Sequence, residues 1–231
     1  MSHPSQRATP LAGLRRQPQQ ERSRRRLQEA LDAADRLVAR EGVAALTTTR
    51  IAQEAGISVG ALYQWFPDRD AIVSALALRF IDAFEDLMDE VVAAASAQRW
   101  DDPAAVLLQA FVARWRAEPG YRALWLGRHL TPPLLDADRE NNRLLADGVR
   151  RILVAQGHAE DGEETARHCW VAVLCADAVL QEAFRVDPDG DPRLLDDATV
   201  LLRSYLATFA RPPAATSAAD PSASIPTRTT P

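Results

Sequence analysis

Between Thr47 and Asp70 the chain places small, hydroxyl-bearing and aromatic side chains at spacings that suit contact with a nucleic acid duplex. Thr48 or Thr49 is positioned to cap a short helix. Ile51, Ala52 and Ala55 give that helix one apolar face. Gly56 can take the left-handed conformation that ends a helix and reverses the chain. Ile57 then anchors the turn, and Ser58 is a natural cap for a second short helix. On that helix Leu62 and Phe66, four apart, face inward, which leaves Val59, Gly60, Ala61, Tyr63, Gln64 and Trp65 for the outer face and its edges. Small residues at its start let the backbone come close to a groove. Gln64 suits a base edge, and Tyr63 can donate its hydroxyl to a phosphate oxygen. Thr48, Thr49, Arg50 and Arg69 flank the segment, where backbone contacts would fall. The alternative on the same residues is three packed helices, with Tyr63 and Trp65 in the core and Gly60 a packing glycine.

Helices must position these groups, because strand signals are missing: there is no sustained alternation of apolar and polar residues. The pattern predicts an all-α chain with about nine helices. The first spans 21–40, with Leu27, Leu31, Ala34 and Leu37 as its stripe. The two short ones lie near 49–55 and 59–66. A long helix runs from Asp68 to about residue 97, with Ile72, Leu76, Phe80, Phe84, Leu87 and Val91 recurring every three or four positions. Asp102-Pro103, Thr131-Pro132 and Asp191-Pro192 each set a capping side chain before a proline suited to the first helical position. Asp161 with Glu164 resembles a capping box. These signals predict helices near 103–117, 121–129, 132–156, 162–185 and 192–209. Residues 1–19 and 211–231, rich in Pro, Gln, Arg, Ala, Ser and Thr, are expected to be disordered.

The chain has 231 residues and a net charge of -5, distributed unevenly. Seven arginines and one acid fall within residues 1–26, about +6, which leaves the rest near -11. A basic arm on an acidic body fits a protein that meets phosphate with one end. Arg15, Arg16, Arg22, Arg24, Arg25 and Arg26 are candidates for phosphate or minor-groove contact; a solvated tail is the plain alternative. No apolar run approaches the roughly 18 residues that span a bilayer, and no signal-peptide pattern is seen, so a cytoplasmic location is expected.

The larger half gathers Trp100, Phe111, Trp115, Tyr121 and Trp125, a composition that suits a ligand cavity. Phe111, Trp115, Trp125, His129 and Trp170 are the candidate contacts for a small-molecule effector, although aromatics at helical spacing also build plain cores. Cys169, Ala172, Ala176 and Ala183 line up small residues on one helix, and Leu194, Ala198, Leu201 and Tyr205 form a stripe on the next. Together these are the candidate dimer interface. Cys169 and Cys175, six residues apart on one helix, sit about 240° and 9 Å apart, too far for a bond between them. Buried structural thiols, a thiol sensor or an intersubunit disulfide remain open. His168 and Cys169 are adjacent and diverge by about 100° on a helix, poor geometry for a nucleophile and its base. No metal spacing, nucleotide loop or nucleophile elbow occurs, so neither an enzyme nor a cofactor is expected.

The run Thr49-Arg50-Ile51-Ala52, then Ala55 to Tyr63, then Phe66-Pro67-Asp68-Arg69-Asp70 closely resembles the DNA-binding segment of TetR-type transcriptional regulators. The resemblance covers about Glu21 to Leu78. It implies an all-α homodimer with a three-helix helix-turn-helix DNA-binding domain (20–67) and a helical effector-binding and dimerisation domain (68–210). It further implies a palindromic double-stranded DNA operator, repression, and release by a small molecule. Ser58, Val59, Gly60 and Ala61 stand where the family reads bases, and Tyr63 matches a tyrosine that contacts phosphate. Arg69 stands where lysine is usual. Trp65 replaces a frequent Tyr or His, which implies a ring stack or an indole N–H bond to DNA.

Overall fold

The computed structural model describes residues 21–127 and 130–210. Within them lie nine α-helices and no strand. They are α1 (Glu21–Glu41), α2 (Thr48–Glu54), α3 (Val59–Trp65), α4 (Arg69–Ala97), α5 (Pro103–Ala117), α6 (Pro119–Leu126), α7 (Pro132–Ala155), α8 (Glu163–Val186) and α9 (Pro192–Leu206). A single 3₁₀ turn, Val43–Ala45, joins α1 to α2. The two terminal segments expected to be disordered, and His129, lie outside the described residues.

Helix starts follow the capping chemistry with four differences. Ser58, Asp68, Asp102 and Asp191 each accept a backbone N–H of the first turn, as their side chains allow. The cap of α2 is Thr47, not Thr48 or Thr49; its hydroxyl oxygen accepts from the Arg50 N–H at 3.2 Å. Thr131 makes no cap bond. The Asp161 box does not form either, because Asp161 pairs with Arg150 and α8 begins after Gly162. α6 starts two residues early, because Pro119 takes the first-turn position where its missing N–H costs nothing.

Packing is organised around α4. Its 29 residues span about 44 Å. One side lies along α7, which in turn packs on α8, and α8 on α9; α9 closes against α5. At the other side α1 packs on α6 and supports α2 and α3. The α4–α7 approach is close at Gly148, where a Cβ would fall 2.4 Å from the Met88 Sδ. The core runs without interruption from Leu27 and Leu37 of α1, through Leu76 and Phe84 of α4, to Trp115, Ile152 and Leu180. No helix among the described residues is long and apolar enough to cross a membrane.

Candidate nucleic-acid interface and ligand cavity

The corner between α2 and α3 is built by its backbone. Gly56 has φ +66°, in the left-handed region that favours glycine. The Ile57 N–H donates to the Ala52 carbonyl at 3.0 Å and the Gly56 N–H to the Gln53 carbonyl at 3.2 Å. Those two bonds close the end of α2 in the six-to-one, five-to-two pattern of a glycine-terminated helix. Leu62, Trp65 and Phe66 are buried. They lie three and four residues apart, so α3 is held by one face. Its opposite face carries Ser58, Gly60, Tyr63 and Gln64, all exposed. A Cβ added at Gly60 would meet nothing within 4 Å. Thr49 is exposed, while Thr48, Val59 and Ala61 are half-buried at the edge. The Tyr63 hydroxyl lies 3.3 Å from the Thr48 Oγ1, which joins the start of α2 to α3 across the same surface.

Three residues grouped with this surface have other partners. Trp65 is only 6% exposed. Its ring belongs to the core, because 62, 65 and 66 share a helix face, so neither a ring stack nor an indole bond to DNA is available to it. Arg69 directs its guanidinium inward: Nε donates to the Leu46 carbonyl at 3.1 Å and Nη2 to the Val43 carbonyl at 2.7 Å. Arg50 donates to the Ala45 carbonyl at 3.2 Å and to Glu41 at 2.6 Å. Both arginines therefore clamp the 3₁₀ turn, whose carbonyls have no helix ladder to join. Arg69→Ala is expected to lower unfolding stability by about 1–2 kcal/mol, read from the urea midpoint. The salt slope of DNA binding should stay the same; a flatter slope would return Arg69 to the phosphate contacts.

Charge around α2 is also tied up locally. Arg40 grips Glu54 with two bonds of 3.1 Å, and Arg36 adds a third at 3.2 Å. These bonds hold the Glu54 carboxyl down at about 2. The acid at the end of α2 is thereby neutralised before it faces any phosphate.

About 20 Å along α4 from this surface, α4–α9 line a partly open cavity of about 80 Å³. Phe84, Phe111, Trp115 and Tyr121 form one wall. Phe84 stacks on Phe111 with ring centres 5.9 Å apart, and Trp115 meets Tyr121 edge-on at 4.8 Å. Of the five expected effector contacts, Phe111 and Trp115 reach the cavity. Trp125 does not line it; its indole N–H donates to Asp138 at 2.9 Å and so orients a residue that does. Trp170 lies elsewhere, half-buried beneath the Arg143 guanidinium.

Four polar residues in the wall escaped the sequence reading: Asp138, Asn141, Asn142 and Asp177. Burial raises both carboxyls above the usual carboxylate range, and Asp177 is pushed up to about 6, with the charge of Asp138 adding to the effect. A signal for Asp177 existed, since it is the lone acid in the otherwise apolar run from 169 to 180. Asp138, Asn141 and Asn142 lie three and four residues from buried Leu134, Leu145 and Ala146, so the helical spacing placed them on the inner face and only their polar type concealed it.

Most of the expected dimer residues have neighbours within their own subunit. Cys169, Ala172, Ala183 and Ala198 are buried within their own subunit. Ala172 and Ala176 line the cavity, and Leu194 is half-buried. Tyr205 accepts or donates a 2.7 Å hydrogen bond with His168. Within one subunit the small residues admit α9 and the cavity to α8. Burial pushes the Cys169 thiol up to about 11, which leaves it unreactive. Among the expected residues Leu201 alone is exposed, and it lies with Leu174 and Val200 among the exposed large apolar side chains of α8 and α9.

A capped helix, a left-handed glycine corner, an outward second helix and a separate cavity define a helix-turn-helix regulator. Two family profiles narrow this. Residues 30–76 match the bacterial regulatory proteins of the tetR family, and residues 97–210 match the tetracyclin repressor-like C-terminal domain. The chain belongs to the TetR family, and is a ligand-responsive DNA-binding transcriptional regulator. It is similar to a TetR-family transcriptional regulator from Streptomyces coelicolor at 27% identity, with 80% of this chain and 98% of that chain covered and a TM-score of 0.59. A TetR-family regulator from Mesorhizobium loti has 18% identity, coverage of 83% and 100%, and a TM-score of 0.66. SmeT, the repressor of the Stenotrophomonas maltophilia multidrug efflux pump SmeDEF, has 19% identity, coverage of 80% and 90%, and a TM-score of 0.58. The last two likenesses concern the fold. No curated protein sequence matches the chain.

Proposed function

We propose that the protein is a cytoplasmic repressor that binds a palindromic operator as a homodimer and leaves it when a small molecule fills the cavity. Residues 20–67 form the reading head, and residues 68–210 the effector and dimerisation body. The observation that carries this reading is the two-sided α3. Leu62, Trp65 and Phe66 anchor it, while Ser58, Gly60, Tyr63 and Gln64 stand clear of the subunit. Val59 and Ala61 border the same surface, at the end where a helix enters a major groove.

α4 is the shortest mechanical path between the two sites. It begins at the arginine clamp on the head and carries Phe84 into the cavity wall. Arg79 of the same helix holds Asp32 and Asp35 of α1 at 2.6 and 3.1 Å. An effector that displaces α4 therefore moves the head. It shifts the equilibrium only by its differential affinity for the two arrangements.

Exposed Leu174, Val200 and Leu201 supply an apolar band on α8 and α9 for a two-fold partner. The double variant L174E/L201E should elute as a monomer by light scattering. Its operator affinity should fall by roughly a hundredfold, because two half-sites are no longer engaged together. A dimer that persists would move the interface elsewhere. The function itself is tested by gel shift on DNA flanking the protein's own gene, with a retarded band expected and its absence at low salt counting against repression there.

A further inference from the structure

Among the described residues, the only ionisable carboxyls in the cavity wall are Asp138 and Asp177; the other polar groups, the Asn141 and Asn142 amides and the Tyr121 hydroxyl, are neutral. Asp177 receives hydrogen bonds from Gln181 at 2.8 Å and from Asn142, and Asp138 receives one from Trp125. No arginine or histidine among the described residues pairs with either carboxylate. Asn141 is 5% exposed and lines the same cavity, and its Oδ1 has no hydrogen-bond partner. Two half-buried carboxylates without a counter-charge, beside an orphaned amide oxygen, leave negative charge in a poorly solvated site that a bound cation would offset. Asp138, Asn141 and Asn142 lie on one face of α7 by their spacing, with Asp177 on the neighbouring α8. Across from them stand the aromatic faces of Phe84, Phe111, Trp115 and Tyr121, which attract cations and disfavour anions. A metal ion is poorly served, since no cluster of three His, Cys, Asp or Glu occurs among the described residues.

We propose that the effector is a hydrophobic organic cation, its protonated amine donating to Asp177, Asp138 and the Asn141 Oδ1 and its apolar body packed on the aromatic wall. This rests on the reading of the cavity as the effector site. Acyl carboxylates and phosphates are disfavoured by Asp138 and Asp177, because they would bring further negative charge.

Proton linkage supports the assignment. Asp177 takes up its proton near pH 6 in the folded chain, against an ordinary value of 3.8. The folded state thus gains stability as pH falls from about 6 towards 4, and ionised Asp177 opposes folding at neutral pH. The titratable groups facing it in the cavity are Asp138 of α7 and Tyr121 of α6; α4, α5 and α9 contribute only apolar or aromatic side chains. An amine should therefore bind less well as pH drops below 6, when Asp177 becomes neutral.

The test uses the full chain and three matched probes, phenylbutylamine, phenylbutanol and phenylbutyrate, titrated by calorimetry at pH 7.5 and 5. At pH 7.5 the amine is expected to bind at least about tenfold more tightly than the alcohol, with no binding of the acid. That preference should shrink at pH 5. D177N should lose the preference yet still bind the alcohol, and should melt at a higher temperature than the unaltered chain at pH 7.5. N141A should weaken the amine more than the alcohol. Alcohol or acid binding as tightly as the amine would overturn the cation assignment and leave the cavity as the effector site. Failure of all three probes would overturn both.

Discussion

Replacing Gly60 by glutamate is expected to reduce operator affinity by about a hundredfold or more and to leave the melting temperature of the protein unchanged. A Cβ at position 60 meets nothing within 4 Å, so the larger side chain has room in the free protein. Gly60 sits inside the first turn of α3, where a glycine lowers helix stability, so the substitution does not harm the helix. In the complex the same side chain would place bulk and a negative charge where backbone and groove must meet closely. Fluorescence anisotropy for binding and differential scanning calorimetry for folding separate the two effects. Unimpaired binding by G60E would show that α3 does not enter a groove by its N-terminal end.

Trp115→Ala should produce the largest loss of stability, about 3–5 kcal/mol. The side chain is 2% exposed. Its ring stacks on Phe184 at 5.1 Å and meets Tyr121 edge-on at 4.8 Å. Its removal would enlarge an existing cavity that the surrounding helices cannot easily close, because α4 to α9 already frame it. Set against total stabilities of about 5–15 kcal/mol for ordinary domains, the loss is a large fraction, and the urea midpoint should fall accordingly. Trp115→Phe should cost less, since most of the ring contact with Phe184 survives. A loss below about 1 kcal/mol for the alanine variant would mean that the wall collapses inward, and that the cavity is not a preformed site.

The reading head was legible in the residues because local rules govern it. The left-handed need at Gly56, the cap at Ser58 and the four-residue spacing of Leu62 and Phe66 each act within a turn or two of chain. Trp65 was placed on the outer face because only Leu62 and Phe66 were counted as the anchors, although its three-residue spacing from Leu62 put it on the buried face. Arg50 and Arg69 have partners of another kind: carbonyls of an irregular turn, which no sequence pattern announces. The ligand body was less legible. Apolar stripes on α8 and α9 identify buried faces, but they do not say whether a second helix or a second subunit buries them. Cys169, Ala172 and Ala198 proved to face their own fold, and the exposed band of Leu174, Val200 and Leu201 lies on another side. Of the cavity carboxylates, Asp177 was marked by the apolar run around it, whereas Asp138 was hidden because acids on helices normally face water.

The central claim is that two copies of α3 read one duplex from successive major grooves. Methylation interference at guanine N7, which lies in the major groove, tests it most directly on DNA flanking the protein's own gene. Two symmetric clusters of interfering guanines about ten base pairs apart are predicted, and G60E should abolish both. Binding that tolerates methylation throughout, or a single asymmetric cluster from one chain per duplex, would contradict it.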